Sequence, residues 1–452
     1  MQLKRFFGNK AFYKSIFLIT LPLVLQQILI NVVNLADNVM VGQLRQEEMN
    51  GVYIASQIMF VCTLGLFGSI EGSSIFFAQY FGGKDEAHMR FVFKFKCVAA
   101  LIIAFLFYFV LTIFIEPLAY LFTDLESEIN VCKEYIGILK YSLFFFALSN
   151  VLASSFREVK RTSIPMWSSA LALLVNISLN YVLIFGHFGF NELRVEGAAI
   201  ATLIARIFEF AFLLIITLVL RMNYLNNLFR GEYLEKGLTT RLIKCSIPLF
   251  LNELLWSTGQ MIISIALCSR GKDARNALSI ATTINNLFYI GALSLGNAIA
   301  IVIGNTLGAG KIEKAKVESR QLIMLCFIIG IVFGVALIIF APLITYAYNV
   351  SEEVRLLAIN AMRIYGALMW LFAINVSCFF VIRAGGNTKI VLAFDSLFGW
   401  LVQVPFALIF AFLTGVSFEW LFFIVYVVEL IKLVSGLFIV HRNKWAKNIV
   451  AV

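Results

Sequence analysis

Along most of this chain the apolar residues neither alternate nor recur every third or fourth position; they run on, as from Ala99 to Ile115. A helix crossing a bilayer needs about 20 mainly apolar residues. Windows of that kind fall at 15–43, 50–80, 92–116, 134–156, 163–186, 197–221, 241–268, 276–306, 318–346, 354–382, 390–414 and 418–440. A transmembrane barrel would instead show alternating segments of about 10 residues. The pattern predicts an all-α, polytopic membrane protein with twelve transmembrane helices.

The same pattern is doubled. Pro22 and Pro248 are separated by half the length of the chain, as are Arg157 and Arg383, and Thr162 and Thr388. Between these anchors Gly82-Gly83-Lys84 matches Ala309-Gly310-Lys311 with a one-residue slip, and Pro117 matches Pro342 with a slip the other way. Fixed-period self-similarity marks a repeated structural unit. Six spans per unit return the chain to its starting side, so the repeats are parallel and related by an axis along the membrane normal. The expected division is a six-helix N-terminal lobe at 1–221, a basic cytoplasmic linker at 222–240 and a six-helix C-terminal lobe at 241–452.

Composition narrows the class further. Of 452 residues 61% are hydrophobic and 14% charged, against roughly 45–50% and 25% in soluble domains, so a soluble fold is excluded. The net charge of +10 would suggest nucleic acid in a soluble protein. Here most of the 36 Lys and Arg fall at the termini and in connections after even-numbered spans, which marks those sides as cytoplasmic. Arg270, Lys272 and Arg275 are a local exception. The expectation is a multi-pass protein of a bacterial-type plasma membrane with both termini cytoplasmic. Seven cysteines without a CxxC pair and three histidines in or beside polar connections offer little for a disulfide framework, a metal centre or acyl transfer. No tightly bound metal, cofactor or nucleic-acid partner is expected, and the chain is not read as an enzyme.

A charge at bilayer depth costs about 2.5–3.5 kcal/mol on insertion scales, so each such group needs a partner or a function. Arg206 with Glu209, and Glu429 with Lys432, are three residues apart and read as local ion pairs. Lys140, Arg363 and Asp395 lie nearer predicted helix ends and are expected to snorkel or face the interface. Asp37, Glu71 and Glu253 have no evident local cation. The first span places Gln27, Asn31, Asn34, Asp37 and Asn38 on one stripe, which cannot face hydrocarbon and should line a wet interior. Asp37, Asn180 and Thr202 fall about 8–9 Å below the same surface at 1.5 Å per residue, with Asn176 one turn deeper than Asn180. Such a set of oxygens suits Na⁺, and a desolvated carboxylate suits a proton. Glu253, Trp256 and Gln260 on the seventh span, with Tyr289 on the eighth and Asn34 on the first, are candidates for a cationic or amphipathic ligand.

Several motifs carry a family resemblance: LADNVMVGQL at 35–44, NISLNYVLIFG at 176–186, GAAIAT at 197–202, SIPLFLNELLWSTGQ at 246–260 and RAGGNTK at 383–389. In order and spacing they resemble the multidrug and toxic compound extrusion (MATE) antiporters. The resemblance implies two six-helix lobes arranged as a V, and export of organic cations or amphipathic drugs in exchange for H⁺ or Na⁺. It assigns ion coupling to Asp37, Asn176 and Thr202, and a ligand role to Glu253. Where many members carry Asp on the fifth span this chain has Asn180, and its tenth span has no carboxylate, which shifts the expectation from Na⁺ toward H⁺. The expected machine is a monomer working by alternating access. The rival is a flippase for lipids or lipid-linked oligosaccharides; its cavity should hold several cations for phosphate, for which Arg363 is the one candidate.

Overall fold

The computed structural model describes residues 6–222, 237–346, 348 and 350–451. Positions 223–236 of the expected linker, and the side chains of Asn34 and Asn38, fall outside the described residues. Every regular element among the described residues is helical, as lipid requires, because only a helix or a closed barrel satisfies its own backbone in hydrocarbon. The helices are α1 (Lys10–Val41), α2 (Gln46–Gly83), α3 (Glu86–Ile113), α4 (Ile115–Tyr120), α5 (Glu126–Leu139), α6 (Ser142–Glu158), α7 (Ser163–Phe185) and α8 (Arg194–Val219). They are followed by α9 (Leu238–Cys268), α10 (Lys272–Gly308), α11 (Ile312–Thr345), α12 (Glu352–Ala384), α13 (Thr388–Leu392), α14 (Val404–Phe412), α15 (Phe418–Val427) and α16 (Glu429–His441). Two π-helical stretches, Ala393–Leu397 and Gly399–Gln403, join α13 to α14 in one continuous span.

Ten helical spans among the described residues are long and apolar enough to cross a membrane, or eleven when α5 and α6 count as one span bent by 50°. The remaining long helix is α9, whose 31 residues include Asn252, Glu253 and Gln260; its polar content lowers its hydropathy, while its length suffices to span. The chain is thus a multi-pass membrane protein.

The doubling reaches the helix boundaries. Helices α10, α11 and α12 begin the same half-chain interval after α2, α3 and α5 (272 − 46, 312 − 86 and 352 − 126). The copies differ where local sequence interrupts the helical ladder. The span ending at Glu158 is bent at Lys140–Tyr141, whereas its counterpart α12 is continuous over 33 residues. Near Pro117 the chain breaks at Phe114, yet Pro342 sits inside α11. The regular helix α7 corresponds to the span carrying both π stretches. An i→i+5 turn accommodates an extra residue and turns the faces that follow it.

The helices form two compact units, Leu21–Ser246 and Ile247–Val452 together with Met1–Thr20. These boundaries cut α1 and α9 at repeat-equivalent positions, just before Pro22 and Pro248. In the first unit α2 packs on α3, α5 and α6, and α8 on α5, α6 and α7. Gly72 admits the start of α9 there, since a Cβ at this position would overlap the backbone of Ser246. In the second unit α12 is central, packed on α10, α11, α15 and α16. The RAGGNTK segment makes its turn at Gly386, φ 78°, and a Cβ on Gly385 would overlap the carbonyl of Trp445.

Candidate ion and ligand sites

In the first unit, α1, α7 and α8 bring four of the expected residues into one hydrogen-bonded chain. Asn180 Nδ2 donates to Asp37 Oδ1 at 2.5 Å and to Asn176 Oδ1 at 3.2 Å, and Asn176 Nδ2 donates to Thr202 Oγ1 at 3.4 Å. Asn176 and Asn180 are one helical turn apart on the buried face of α7. Their amides supply donors to Asp37, which has no lysine or arginine within ion-pairing distance among the described residues. The Oδ1 of Asn180 is buried and has no hydrogen-bond partner. A carboxylate beside an orphaned acceptor is a place for a positive charge or a proton, because the reverse arrangement leaves lone pairs unmatched in a low dielectric. Tyr135, buried on α5, hydrogen-bonds to Thr202 and completes the wall. The sequence offered no sign of Tyr135, since a tyrosine in a membrane helix is ordinarily packing.

Of the remaining polar stripe on α1, Asn31 returns its amide to the carbonyl of Gln27 at 2.8 Å. Arg206 and Glu209 do pair, at 2.9 Å, and Ser169 Oγ also donates to Glu209 at 3.2 Å. Glu71 lies on α2 next to Gly72 at the close approach of Ser246. A separate buried pair joins Lys96 on α3 to Glu158 at the end of α6. Lys140 marks the break between α5 and α6, with Nζ donating to Thr112 Oγ1 at 3.2 Å.

The second unit departs from expectation at Asp395. Rather than snorkelling from a helix end, Asp395 sits in the first π stretch of its span and accepts from Lys432 Nζ at 2.6 Å and from Asn252 Nδ2 at 3.0 Å. Two turns inside the span, the carboxylate is held by donors from other helices, as a charge at that depth requires. Lys432 does lie 3.8 Å from Glu429, its expected partner on α16, but Asp395 is the closer one. Glu429 is instead held by Asn375 Nδ2 at 2.8 Å, and Ser396 Oγ donates to Asn252 Oδ1 at 2.7 Å. The cluster opens on a cavity of about 20 Å³ lined by Trp256, Gln260, Trp400 and Gln403, room for one ordered water. Glu253 follows Asn252 on α9, and Tyr289 packs on Phe372 at 4.9 Å, within electrostatic reach of Asp395, Glu253 and Glu429. Glu253, Trp256, Gln260 and Tyr289 therefore share a neighbourhood; the side chain of Asn34 is outside the described residues.

The sequence model of the MatE family matches residues 22–182 and 248–409. A "Probable multidrug resistance protein NorM" of Thermotoga maritima is 24% identical over 443 residues, covering 97% of this chain and 94% of that protein. A "Probable multidrug resistance protein YoeA" of Bacillus subtilis is 24% identical over 411 residues, covering 89% and 88%. Among solved structures, MATE in complex with MaL6 matches with a TM-score of 0.86 at 21% identity, over 95% of this chain and 97% of that one. A MOP superfamily transporter from Pyrococcus furiosus matches with a TM-score of 0.83 at 21% identity, over 95% and 96%. The family match takes in more than half of the chain and starts, in each repeat, at the proline that opens it. The chain belongs to the MatE family of transporters.

Proposed function

We propose that this protein is a cation-coupled antiporter, driven by H⁺ in preference to Na⁺, that exports organic cations or amphipathic drugs by alternating access. Asp37 carries the reading: a half-buried carboxylate on a membrane span, held by amide donors and not by a fixed cation. A mobile ion at such a site shifts the conformational balance only if it binds one state better than the other. The orphaned Oδ1 of Asn180 beside it supports visits by a proton or Na⁺, and Asn at this position leaves one negative charge, which favours the proton. Multidrug resistance relatives covering nearly the whole chain support efflux as the direction and drugs as the cargo. The flippase reading is weakened where Arg206 pairs with Glu209 and Lys432 with Asp395; Arg363, exposed on α12, is the one cation it retains. The distribution of Lys and Arg supports a cytoplasmic location for both termini.

One proton moving inward through 100 mV contributes about 2.3 kcal/mol, enough for a roughly forty-fold concentration ratio of a coupled neutral cargo. In proteoliposomes with an imposed proton gradient, the parent protein should concentrate a fluorescent organic cation, and Asp37→Asn should abolish the response while still inserting normally. A Na⁺ gradient should drive less transport than a proton gradient of equal size. Undiminished gradient-driven transport by Asp37→Asn would falsify the coupling role.

A further inference from the structure

Two polar clusters of the first unit lie on one seam, where α1, α7 and α8 meet. At one end Gln26 Nε2 donates to Ser169 Oγ at 3.1 Å, and Ser169 Oγ donates to Glu209 Oε1 at 3.2 Å. At the other end stand Asp37, Asn180, Asn176 and Thr202. The register agrees from helix to helix. Eleven residues separate Gln26 from Asp37 and Ser169 from Asn180 (37 − 26 and 180 − 169), and seven separate Ser169 from Asn176 and Thr202 from Glu209 (176 − 169 and 209 − 202). These intervals are about three and two whole turns, so both clusters use the same face of each helix. Arg206 lies between them on α8, one turn from Thr202 and three residues from Glu209, which it meets at 2.9 Å. Its guanidinium rests 4.8 Å from the ring centroid of Phe146, and with 32% of the side chain exposed the arm is not locked by packing. Asp37 is beyond ion-pairing distance but within electrostatic reach of it.

We infer that Glu209 and Arg206 are positioning residues for the coupling step: Glu209 holds the guanidinium away from Asp37 and so keeps that carboxylate open to a proton. This deepens the reading of Asp37 as the ion-coupling group and rests on it. A guanidinium in contact with Asp37 would compete with the proton for the same charge. The holder is itself fixed, since Glu209 has one oxygen on Arg206 and the other on Ser169, which Gln26 anchors from α1. Release of Arg206 leads toward Asp37, because a helical side chain leans to the N-terminus of its helix, here the Thr202 end. Among the described residues Arg206 is the charged group that acts on Asp37. Of the neighbouring elements, α5 presents the neutral hydroxyl of Tyr135, α7 presents Asn176, Asn180 and Ser169, and α6 presents Phe146 to the guanidinium. The second repeat shows the other outcome. Lys432 stands where Arg206 does, at the interval of the repeat (432 − 206), and lies 2.6 Å from Asp395 on another span but 3.8 Å from Glu429 on its own. A cation at this place thus takes the carboxylate of a neighbouring span when one is in reach. That repeat has Ile263 where the first has Asp37 (263 − 37), so there the cation has no counterpart of Asp37 to disturb.

The test is an infrared pH titration of the purified protein in lipid. It reads the carbonyl band of a protonated carboxylic acid, and Asp37 is assigned in each background by the band that Asp37→Asn removes. Glu209→Gln releases Arg206 and should lower the midpoint of Asp37 by about one pH unit or more. Arg206→Gln should raise it. The two changes together should give no fall, because Glu209 acts through Arg206; Arg206→Lys keeps the charge and should stay at the parental midpoint. A pair with a merely structural role would change stability without moving the midpoint in opposite directions. A folded Glu209→Gln protein without the fall, or a fall that persists in the double variant, overturns the proposal. If Glu209→Gln does not fold, a midpoint of Arg206→Gln no higher than the parental one overturns it equally. The titration needs neither a gradient nor a substrate, so a failure of transport leaves its outcome untouched. Parent protein in which Asp37 takes up no proton would overturn the proton-coupled reading as well.

Discussion

Among the described residues, the most deeply buried ion pair of the first unit is not at the candidate ion site. Lys96, with no exposed surface, places Nζ 2.7 and 2.6 Å from the two carboxylate oxygens of Glu158, 3.2 Å from Ser154 Oγ and 4.7 Å from the ring centroid of Phe77. Ser74 adds a hydrogen bond to Glu158. Removing one partner strands a buried charge, which typically costs about 3–5 kcal/mol, whereas replacing both by apolar groups is often close to neutral. Lys96→Met alone is therefore expected to lower stability by about 3–5 kcal/mol, and Lys96→Met with Glu158→Leu to recover most of it. Thermal unfolding in detergent checks this; a single variant as stable as the parent would show that the pair is not an isolated buried couple. The contrast with Asp37 is a difference of partner. Glu158 is neutralised by an ammonium in direct contact, whereas Asp37 is hydrogen-bonded by uncharged amides and feels Arg206 only from beyond ion-pairing distance. Sequence separation explains what could be read in advance. Asp37, Asn180 and Thr202 could be placed at one level, with Asn176 one turn deeper, because depth follows from distance to a helix end. Lys96 and Glu158 are 62 residues apart on helices whose facing sides no periodicity announces.

At the scale of elements, small residues mark where helices meet, and the structure sorts two glycines that look alike in sequence. Gly72 on α2 is buried against the backbone of Ser246, while Gly137 on α5 is exposed with no heavy atom within 4 Å of an added Cβ. Gly72→Ala forces α9 away and is expected to destabilise the first unit. Gly137→Ala removes backbone entropy from the unfolded chain and adds helix propensity, worth up to about 0.8–1.0 kcal/mol in favour of folding. Opposite shifts in melting temperature are the expected outcome; equal shifts would show that the approach of Ser246 is not tight. The π stretches were illegible in the sequence. The run from Thr388 to Phe412 reads as an ordinary apolar span, and nothing local in it requires i→i+5 bonding. In the first of them Asp395 and Ser396 meet Asn252 of α9 and Lys432 of α16, partners distant in sequence.

At the scale of the molecule, the repeat governs more than helix number. The leading turns of α1 group with the unit formed by the second repeat, and Gln321 on α11 donates its side-chain amide to the carbonyl of Phe7 at 3.3 Å. Removal of residues 1–14 is accordingly expected to raise hydrogen exchange around Gln321 and to leave α2 and α3 at their parental protection. Loosening of α2 and α3 with α11 unaffected would contradict that grouping. A cut between residues 6 and 20 thus reports on the second unit, although those residues precede the first unit in the chain.

The sequence alone determined the class of fold, the lengths and positions of the spans and their doubling at an interval of half the chain, because a bilayer leaves a chain so few options. Long apolar runs must be helical to satisfy their own backbone, and polar groups within them must turn inward. It also marked which side chains cannot be left in lipid. It did not determine which of those side chains meet. Asp395 finds Lys432, Lys96 finds Glu158 and Asn180 finds Asp37 across separations of 37, 62 and 143 residues, through helix rotations and π turns set by packing. Charge pairing within a membrane is decided by the faces that neighbouring helices present, and only the tertiary structure fixes those.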